Sequence, residues 1–329
     1  MLRIQKAGHS GILLPDLDIG LDYSGKKAAH VFVSHAHADH VPRAKGLNAY
    51  ATTATADLMK LRGYKEPVHR LDFFTPLETD KARVTLYPAG HILGSAMTFI
   101  ESDEGNVLYT GDYRTPPSPA TEGFELPDNQ IDYFITEATF ALPIYKWKTH
   151  DELAHRIRTF ASDALNEGYT PVFLAYNLGK AQELMYLLKE LDHPMQIHGA
   201  GYNLCSVYEE AGFGLGNYET YHKDTCEGKI LITPSSALGN NFASSVKKKR
   251  IAYCSGWAAM ESRQTQLTVD ELIPISDHLD FFELINVCDR IRPKEVLITH
   301  TPNPRVVQHY LDKLGLHSSF LDMQKEEHD

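Results

Sequence analysis

Three histidines and an aspartate lie within six residues, in the segment His35-Ala36-His37-Ala38-Asp39-His40. The apolar run Val31-Phe32-Val33 comes just before this segment and is typical of a buried strand. Loops that leave strands commonly carry functional residues, and the two small alanines allow this loop to turn tightly. Imidazole and carboxylate groups in this number suit a metal ion. The segment therefore requires a fold in which a sheet edge gathers these side chains around metal.

Three further candidate ligands follow predicted strands later in the chain. His91 lies in Gly90-His91-Ile92-Leu93-Gly94-Ser95, Asp112 follows Gly111, and His300 ends the apolar run that starts at Val296. Each of these residues alone is as often structural as a ligand, but together with the first segment they form a specific pattern. Seven candidate ligands exceed the capacity of one tetrahedral centre. We therefore expect two divalent metal ions, with zinc favoured and manganese or iron as alternatives.

Composition excludes several classes of protein. The chain has 329 residues, of which 43% are hydrophobic, enough for a sizeable core. No apolar stretch reaches the length of a membrane span, and the first residues do not resemble a secretory signal. The four cysteines form no CxxC pair, so a cytoplasmic location is expected. The net charge of −11 argues against a protein that coats nucleic acid through its overall charge. The basic run from Lys247 to Arg250 is either a solvated loop or a local contact to nucleic acid.

The pattern of hydrophobic residues changes near Glu137. The first 135 residues are dominated by short strand patterns, whereas the following region alternates helical and strand patterns. This alternation predicts a parallel α/β unit inserted between two segments of a larger α/β body. The predicted helices span residues 149–168, 179–191, 281–291 and 303–314.

These motifs together resemble a known superfamily. The HxHxDH segment, the GHxxGS histidine and the GD aspartate resemble those of the metallo-β-lactamase superfamily. Glu137, His278 and His300 resemble the additional residues of its β-CASP nuclease branch. Residues 137–143, 175–182, 198–200 and 255–257 are similar to the bacterial DNA-ligase-associated exonucleases, and this resemblance covers nearly the whole chain.

The resemblance implies an α/β fold, the αββα sandwich of the metallo-β-lactamases, with an inserted, smaller α/β cap of the β-CASP type. The sandwich would comprise residues 1–140 and 261–329, and the cap residues 141–260. The implied ligands of the first metal are His35, His37, His91 and Asp112, and those of the second are Asp39, His40, Asp112 and His300.

The resemblance also implies phosphodiester hydrolysis by a hydroxide that bridges the metals. The implied catalytic set is Asp39, His278, Glu137 and Asp22, with His278 as general acid, Glu137 orienting it, and Asp22 orienting a ligand. Lys180 and His198 are candidate substrate contacts. The implied function is that of a DNA exonuclease in repair, which acts on nucleic acid, with DNA favoured over RNA. A DNA ligase and a helicase are the candidate protein partners, and no association with a membrane is expected.

Alternative interpretations remain open. An RNA-processing β-CASP ribonuclease would use the same ligands, and a non-nuclease hydrolase of this fold would keep only the metal site. A catalytically silent nucleic-acid-binding subunit would be expected to have lost ligands. The pair Asp277-His278 could instead cap the helix that begins near Phe281.

Overall fold

The computed structural model describes residues 2–238, 242–244 and 246–321. The chain divides into two compact units. Unit 1 combines the segments Met1–Lys146 and His278–Asp329, and unit 2 is the segment Trp147–Asp277, which lies between them in sequence. Within the described ranges, no helix is both long enough and apolar enough to cross a membrane.

The first segment of unit 1 consists mainly of strands, as predicted. Its strands are β1 (Gln5–Ala7), β2 (Gly11–Leu14), β3 (Ile19–Leu21), β4 (His30–Phe32), β5 (Ala49–Thr52), β6 (Val68–Leu71), β7 (Leu77–Glu78), β8 (Arg83–Pro88), β9 (Ala96–Glu101), β10 (Val107–Tyr109) and β11 (Tyr133–Glu137). One helix, α1 (Thr53–Leu61), was not predicted. It begins at Thr52, whose hydroxyl accepts a hydrogen bond from the amide of Thr55.

Unit 2 alternates helices with strands, which confirms the predicted α/β pattern. Its elements are α2 (His150–Asn166), β12 (Thr170–Leu174), α3 (Lys180–Leu188), β13 (Met195–Ile197), α4 (Gly199–Glu210), β14 (Tyr218–Thr220), β15 (Ile230–Thr233), α5 (Ser235–Leu238), β16 (Lys249–Cys254), α6 (Ser262–Leu267) and β17 (Glu271–Ile273). Short 3-10 helices lie at Lys189–Leu191 and Gly256–Ala259.

The second segment of unit 1 adds two strands to one of its sheets and supplies two helices. It contains α7 (Phe281–Ile291), β18 (Glu295–Thr299), α8 (Pro304–Lys313) and β19 (Ser318–Phe320). Helix α7 begins with a capping box, in which the Asp280 carboxylate accepts from the Glu283 amide and the Glu283 carboxylate accepts from the Asp280 amide. The alternative that Asp277-His278 caps this helix is therefore wrong.

Unit 1 contains two sheets. The first has the strand order β1-β2-β3-β4-β5-β6, and the second has the order β19-β18-β11-β10-β9-β8-β7. Strands β3 to β6 are parallel neighbours, and so are β10, β11, β18 and β19. In sheets of this kind, ligands bind beyond the carboxyl ends of the strands.

Hydrophobic side chains from both sheets form the central core of unit 1. The first sheet contributes Ile12, Ile19 and Phe32, and the second contributes Val84, Ile100 and Ile135. A separate core includes Phe99 and Phe134 of the second sheet with residues of α7 and α8, namely Leu284, Val287, Val307 and Leu311. Helix α1 contacts β5 and β6 of the first sheet. This mixed α/β arrangement is compatible with the predicted metallo-β-lactamase-like sandwich.

The sheet of unit 2 is entirely parallel, with the order β14-β13-β15-β12-β16-β17. Helix α2 closely matches its predicted range and begins at Thr149, which forms a capping box with Glu152. The predicted boundary at residue 260 lies too early in the sequence, because Glu271–Ile273 pairs with β16 of unit 2. The first boundary also shifts, from residue 140 to Lys146.

Candidate metal centre

Most of the predicted metal ligands and catalytic residues of unit 1 lie at or just after strand ends. Asp22 follows β3, the His35–His40 segment follows β4, His91 follows β8, Asp112 follows β10, Glu137 ends β11, and His300 follows β18. The turn at Gly111 has a positive φ of 55°, and a Cβ there would lie 2.5 Å from the Cβ of Ser34. Glycine is thus required for Asp112 to approach the histidine segment so closely.

Four of the predicted ligands converge. One ligand atom from each of His35, His37, His91 and Asp112 lies within 4.8 Å of all the others. The Nδ1 of His37 is 3.1 Å from the Nε2 of His35 and 3.1 Å from the Nε2 of His91. The Oδ2 of Asp112 is 3.5 Å from the Nε2 of His35 and 3.8 Å from the Nε2 of His91.

These spacings suit a divalent cation. A tetrahedral zinc ion, bound at about 2.0–2.2 Å, holds its ligand atoms about 3.4 Å apart. Burial lowers the pKa of His35 well below its usual value, and the imidazoles of His40 and His91 lower it further. His35 therefore stays neutral and keeps a lone pair for a metal. Burial raises the pKa of Asp112 to about 6, so its carboxylate also requires a nearby cation.

His40 occupies the side of this cluster that carries most negative charge. Its Nε2 lies 3.5 Å from Asp112 and 3.8 Å from Asp39, and its Nδ1 lies 2.7 Å from Asp22. Burial alone would lower the pKa of His40, but the carboxylates of Asp112, Asp22 and Asp39 raise it to about 9. A cation is thus favoured here, and a second metal ion could replace the proton.

The second predicted ligand set is less closely gathered than the first. The side chain of Asp39 is 54% exposed, unlike that of the buried His40. The ring of His300 lies 6.0 Å from that of His40 between centroids and 5.4 Å from that of His9. In the described part of the chain, no set of converging metal-ligand atoms includes His300.

Asp22 holds the histidine segment in place, which the sequence pattern did not predict in full. Its carboxylate accepts hydrogen bonds from the Ser34 amide at 2.7 Å, the Ser34 hydroxyl at 2.6 Å and the Tyr109 hydroxyl at 2.8 Å, besides contacting His40. Sequence analysis missed Ser34 and Tyr109. The position of Ser34 beside the first ligand was the available signal, whereas no pattern distinguished Tyr109.

Glu137 and His278 form a pair beside this cluster. The Nδ1 of His278 lies 2.7 Å from the Oε1 of Glu137, and Thr139 donates to the other carboxylate oxygen. Burial alone would raise the pKa of Glu137, but His278 and Thr139 lower it to about 2. The His278 ring lies 4.8 Å from that of His91 between centroids. An ionised Glu137 fixes the proton of His278 on Nδ1.

Lys180, a predicted phosphate contact, has a different environment. Its side chain is only 1% exposed, and its Nζ lies 2.5 Å from Glu183 and 3.8 Å from Asp277, all within unit 2. An ammonium group this deeply buried is not accessible to a phosphate. Gly179, the residue before it, has a φ of 86°, which glycine adopts readily.

The other predicted nucleic-acid contacts also make internal interactions. His198 caps α4, and its side chain accepts a hydrogen bond from the Ala200 amide. Within the basic run, Lys249 donates to the carbonyl groups of Ala243 and Val246, and Arg250 pairs with Glu167. These contacts favour structural roles, while Lys247 and Lys248 remain exposed.

Three relatives place this chain among known proteins. It is 33% identical over 295 residues to a probable DNA ligase from Opitutus terrae, covering 88% of this chain and 28% of that protein. It is 28% identical to an RNase J-like protein from Methanocaldococcus jannaschii, covering 54% of this chain and 49% of the relative. An endoribonuclease YSH1 from Candida albicans is 32% identical, over 37% of this chain and 14% of the relative. The chain thus spans less than half the length of each relative.

The fold has a counterpart among solved structures. A protein of unknown function from Enterococcus faecalis superposes with a TM-score of 0.62 at 13% identity, over 90% of this chain and 80% of that one. No family model matches the chain. The relatives, the mixed α/β fold and the strand-end histidine and aspartate motifs agree with one another. The chain belongs to the metallo-β-lactamase superfamily, in its β-CASP nuclease branch.

Proposed function

We propose that this chain is a metal-dependent nuclease that hydrolyses phosphodiester bonds, with DNA as the favoured substrate. The observation that carries the proposal is the convergence of four ligand atoms, from His35, His37, His91 and Asp112, beside the His278–Glu137 pair. A metal site alone would suit many hydrolases, whereas an oriented histidine next to it provides a proton donor for a leaving oxygen.

The first ligand set is supported by the contacts, and the second is proposed from the family resemblance with the contacts of His40. His35, His37, His91 and Asp112 would hold one ion. His40, Asp39 and Asp112 would hold the other, with His300 as the ligand that the resemblance adds. Divalent ions at such sites supply Lewis acidity, which neutralises phosphate oxygens and activates water for attack. Asp22 contributes by fixing the His40 ring, since it accepts from Ser34 and Tyr109 at the same time.

The His278–Glu137 pair would act on the leaving group. Because an Nδ1–H of His278 is directed to Glu137, the ionised carboxylate would stabilise the doubly protonated imidazolium, and the second proton, on Nε2, would be the one given to the departing oxygen. Cleavage of the P–O3′ bond, with this proton donated to O3′, would leave a 3′-hydroxyl end and a 5′-phosphate end. We interpret unit 2 as the β-CASP-like cap of this enzyme, because its segment lies between the two segments of unit 1.

DNA is favoured because the relative that covers 88% of the chain is named a probable DNA ligase. A place in DNA repair beside a ligase and a helicase extends the same proposal. The RNA alternative has its own support, because the RNase J-like and YSH1 relatives are named for ribonucleases. Zinc is the favoured metal because imidazole nitrogens dominate the ligand set.

One assay tests the proposal and its alternative. Metal-replete protein is incubated with end-labelled single- and double-stranded DNA and RNA, and the product ladder is followed from each labelled end. We expect stepwise shortening of DNA by the wild type and by His309→Ala, a control at an exposed histidine on α8. His91→Ala should be inactive.

Two results would change the conclusion. Preferential cleavage of RNA would favour the ribonuclease alternative. Absence of cleavage on every substrate by protein shown to contain metal, or full activity of His91→Ala, would contradict a nuclease centred on this site.

A further inference from the structure

A second feature of unit 1 lies next to the metal centre. It is a cavity of about 440 Å³, formed by the loop that follows the histidine segment and by the end of α1. We call it the basic pocket. Its polar lining residues are Arg43, Lys45, Arg62, Tyr64, Lys65 and Glu66. Its volume falls within the range of about 300–1,000 Å³ that is usual for ligand sites.

The pocket is strongly positive in an acidic protein. Four of its side chains are cationic and one is anionic, whereas the whole chain has a net charge of −11. The four cations are exposed, and among the described residues none of them lies in an ion pair. The carboxylate of Glu66 accepts a hydrogen bond from the Gly46 amide at 3.0 Å, which joins the two walls. The side chains that line the pocket therefore leave it with a net positive charge.

One lining residue of the pocket carries a buried hydroxyl, and another part of the wall is apolar. The hydroxyl of Tyr64 is buried, and the described residues offer it no hydrogen bond. Buried hydroxyl groups nearly always have partners, because an unmade hydrogen bond is unfavourable. Val41 and Met59 give the same cavity an apolar wall. Cations beside an apolar surface suit the phosphate of a nucleotide together with the sugar and base attached to it.

The position of the pocket connects it to the proposed chemistry. Ala36 and Ala38 line the pocket, and they alternate in sequence with the ligands His35, His37 and Asp39. Arg62 also lies within electrostatic reach of Asp39. A polymer whose scissile phosphate lies at the metal cluster would thus have an adjacent nucleotide close to this pocket.

We propose that the basic pocket binds the phosphate of a nucleotide adjacent to the scissile bond, an inference that rests on the proposed nuclease function. Arg43, Lys45, Arg62 and Lys65 would neutralise backbone phosphate. The pocket then contributes affinity for nucleic acid that is independent of base sequence. It also explains how an acidic protein holds a polyanion through a local patch.

The test compares two double variants of the metal-replete enzyme. Arg43→Gln/Lys65→Gln removes two charges from the pocket, and Arg290→Gln/Lys313→Gln removes two exposed charges at the ends of α7 and α8 as a matched control. Steady-state kinetics on a single-stranded oligonucleotide are measured between about 50 and 200 mM salt. Thermal unfolding is recorded for both variants to confirm folding.

We expect the pocket variant to raise KM roughly tenfold while kcat changes much less. The reason is that the lost contacts stabilise the bound substrate and the transition state equally. The slope of log(kcat/KM) against log(salt) should become shallower by about 0.7 for each phosphate contact removed.

The outcomes separate this inference from the proposed function. If the wild type cleaves nucleic acid and the two double variants have the same KM and salt slope, the pocket proposal is overturned and the nuclease proposal stands. If the wild type cleaves no nucleic acid, the proposed function fails, and the pocket proposal fails with it.

Discussion

Each unit of this protein contains a cluster of buried ionisable side chains, and the two clusters are built in opposite ways. In unit 1, imidazole and carboxylate groups converge, and the ring nitrogens of His35 and His37 lie 3.1 Å apart. In unit 2, the ammonium of Lys180 lies between the carboxylates of Glu183 and Asp277. The first cluster needs a cation from outside, whereas the second contains its own.

The difference shows how to distinguish a binding site from a structural ion cluster. Electron-pair donors that outnumber the available cations indicate a metal site. A buried cation matched by carboxylates indicates a structural role, even next to a glycine turn that resembles a phosphate-binding loop. Removing a residue from the first cluster should therefore abolish function, and removing one from the second should lower stability.

The largest expected effect is on activity in unit 1. His37→Ala or Asp39→Ala should reduce hydrolysis by more than about 10⁴-fold, because each removes a proposed metal ligand. The folded state should persist, since both residues lie on a loop outside the hydrophobic cores. Activity assays, metal analysis and circular dichroism together test this. If either variant retains activity, with contaminating nuclease excluded, the proposed site is contradicted.

His278→Ala should have the next largest effect, a loss of roughly 10²–10⁴-fold in turnover on nucleic acid, which is the usual range for proton transfer. Both metals should remain bound. The variant should recover much of its rate on bis(p-nitrophenyl) phosphate, whose leaving group needs no proton. Glu137→Gln should show a milder loss, because Glu137 only orients His278.

A contrary result would reassign His278. If His278→Ala loses a metal, or is equally slow on both substrates, then His278 is a ligand or a substrate anchor and does not act as an acid.

Lys180→Met addresses the other side of the comparison and should leave metal content unchanged. It should destabilise unit 2 by about 3–5 kcal/mol, because Glu183 would keep a buried charge without its cation. Lys180→Met/Glu183→Gln should recover part of that loss. Denaturant unfolding of these variants, with the exposed Lys248→Met as control, measures the effect. Equal stability of Lys180→Met and the control would show that the buried pair is not structural.

The sequence predicted the elements that have strong local signals. Helix α2 was found because apolar residues such as Leu153 and Ile157 recur on one face and Gly168 ends the pattern. Helix α4 was missed because it starts with Gly199-Ala200-Gly201, and two glycines in the first turn indicate a loop more than a helix. The boundary near residue 260 was misplaced because the pairing of β17 with β16 joins residues that no local pattern connects.

The same distinction applies to function. Ligands that lie together in sequence, such as His35 and His37, were recognisable without a structure. The basic pocket was not, because its cations come from two separated segments and only the fold brings Arg43 and Lys65 into one cavity. The dense run of charge at Lys249-Arg250 was a more visible candidate, yet part of it serves intramolecular contacts.

The central claim is that the unit 1 cluster holds metal ions. Anomalous diffraction from crystals of protein purified without chelator, recorded at the metal absorption edge, tests it directly. We expect about two ions per chain, one of them about 2.0–2.2 Å from ring nitrogens of His35, His37 and His91. Metal-replete crystals with no anomalous peak among these three histidines would contradict the account.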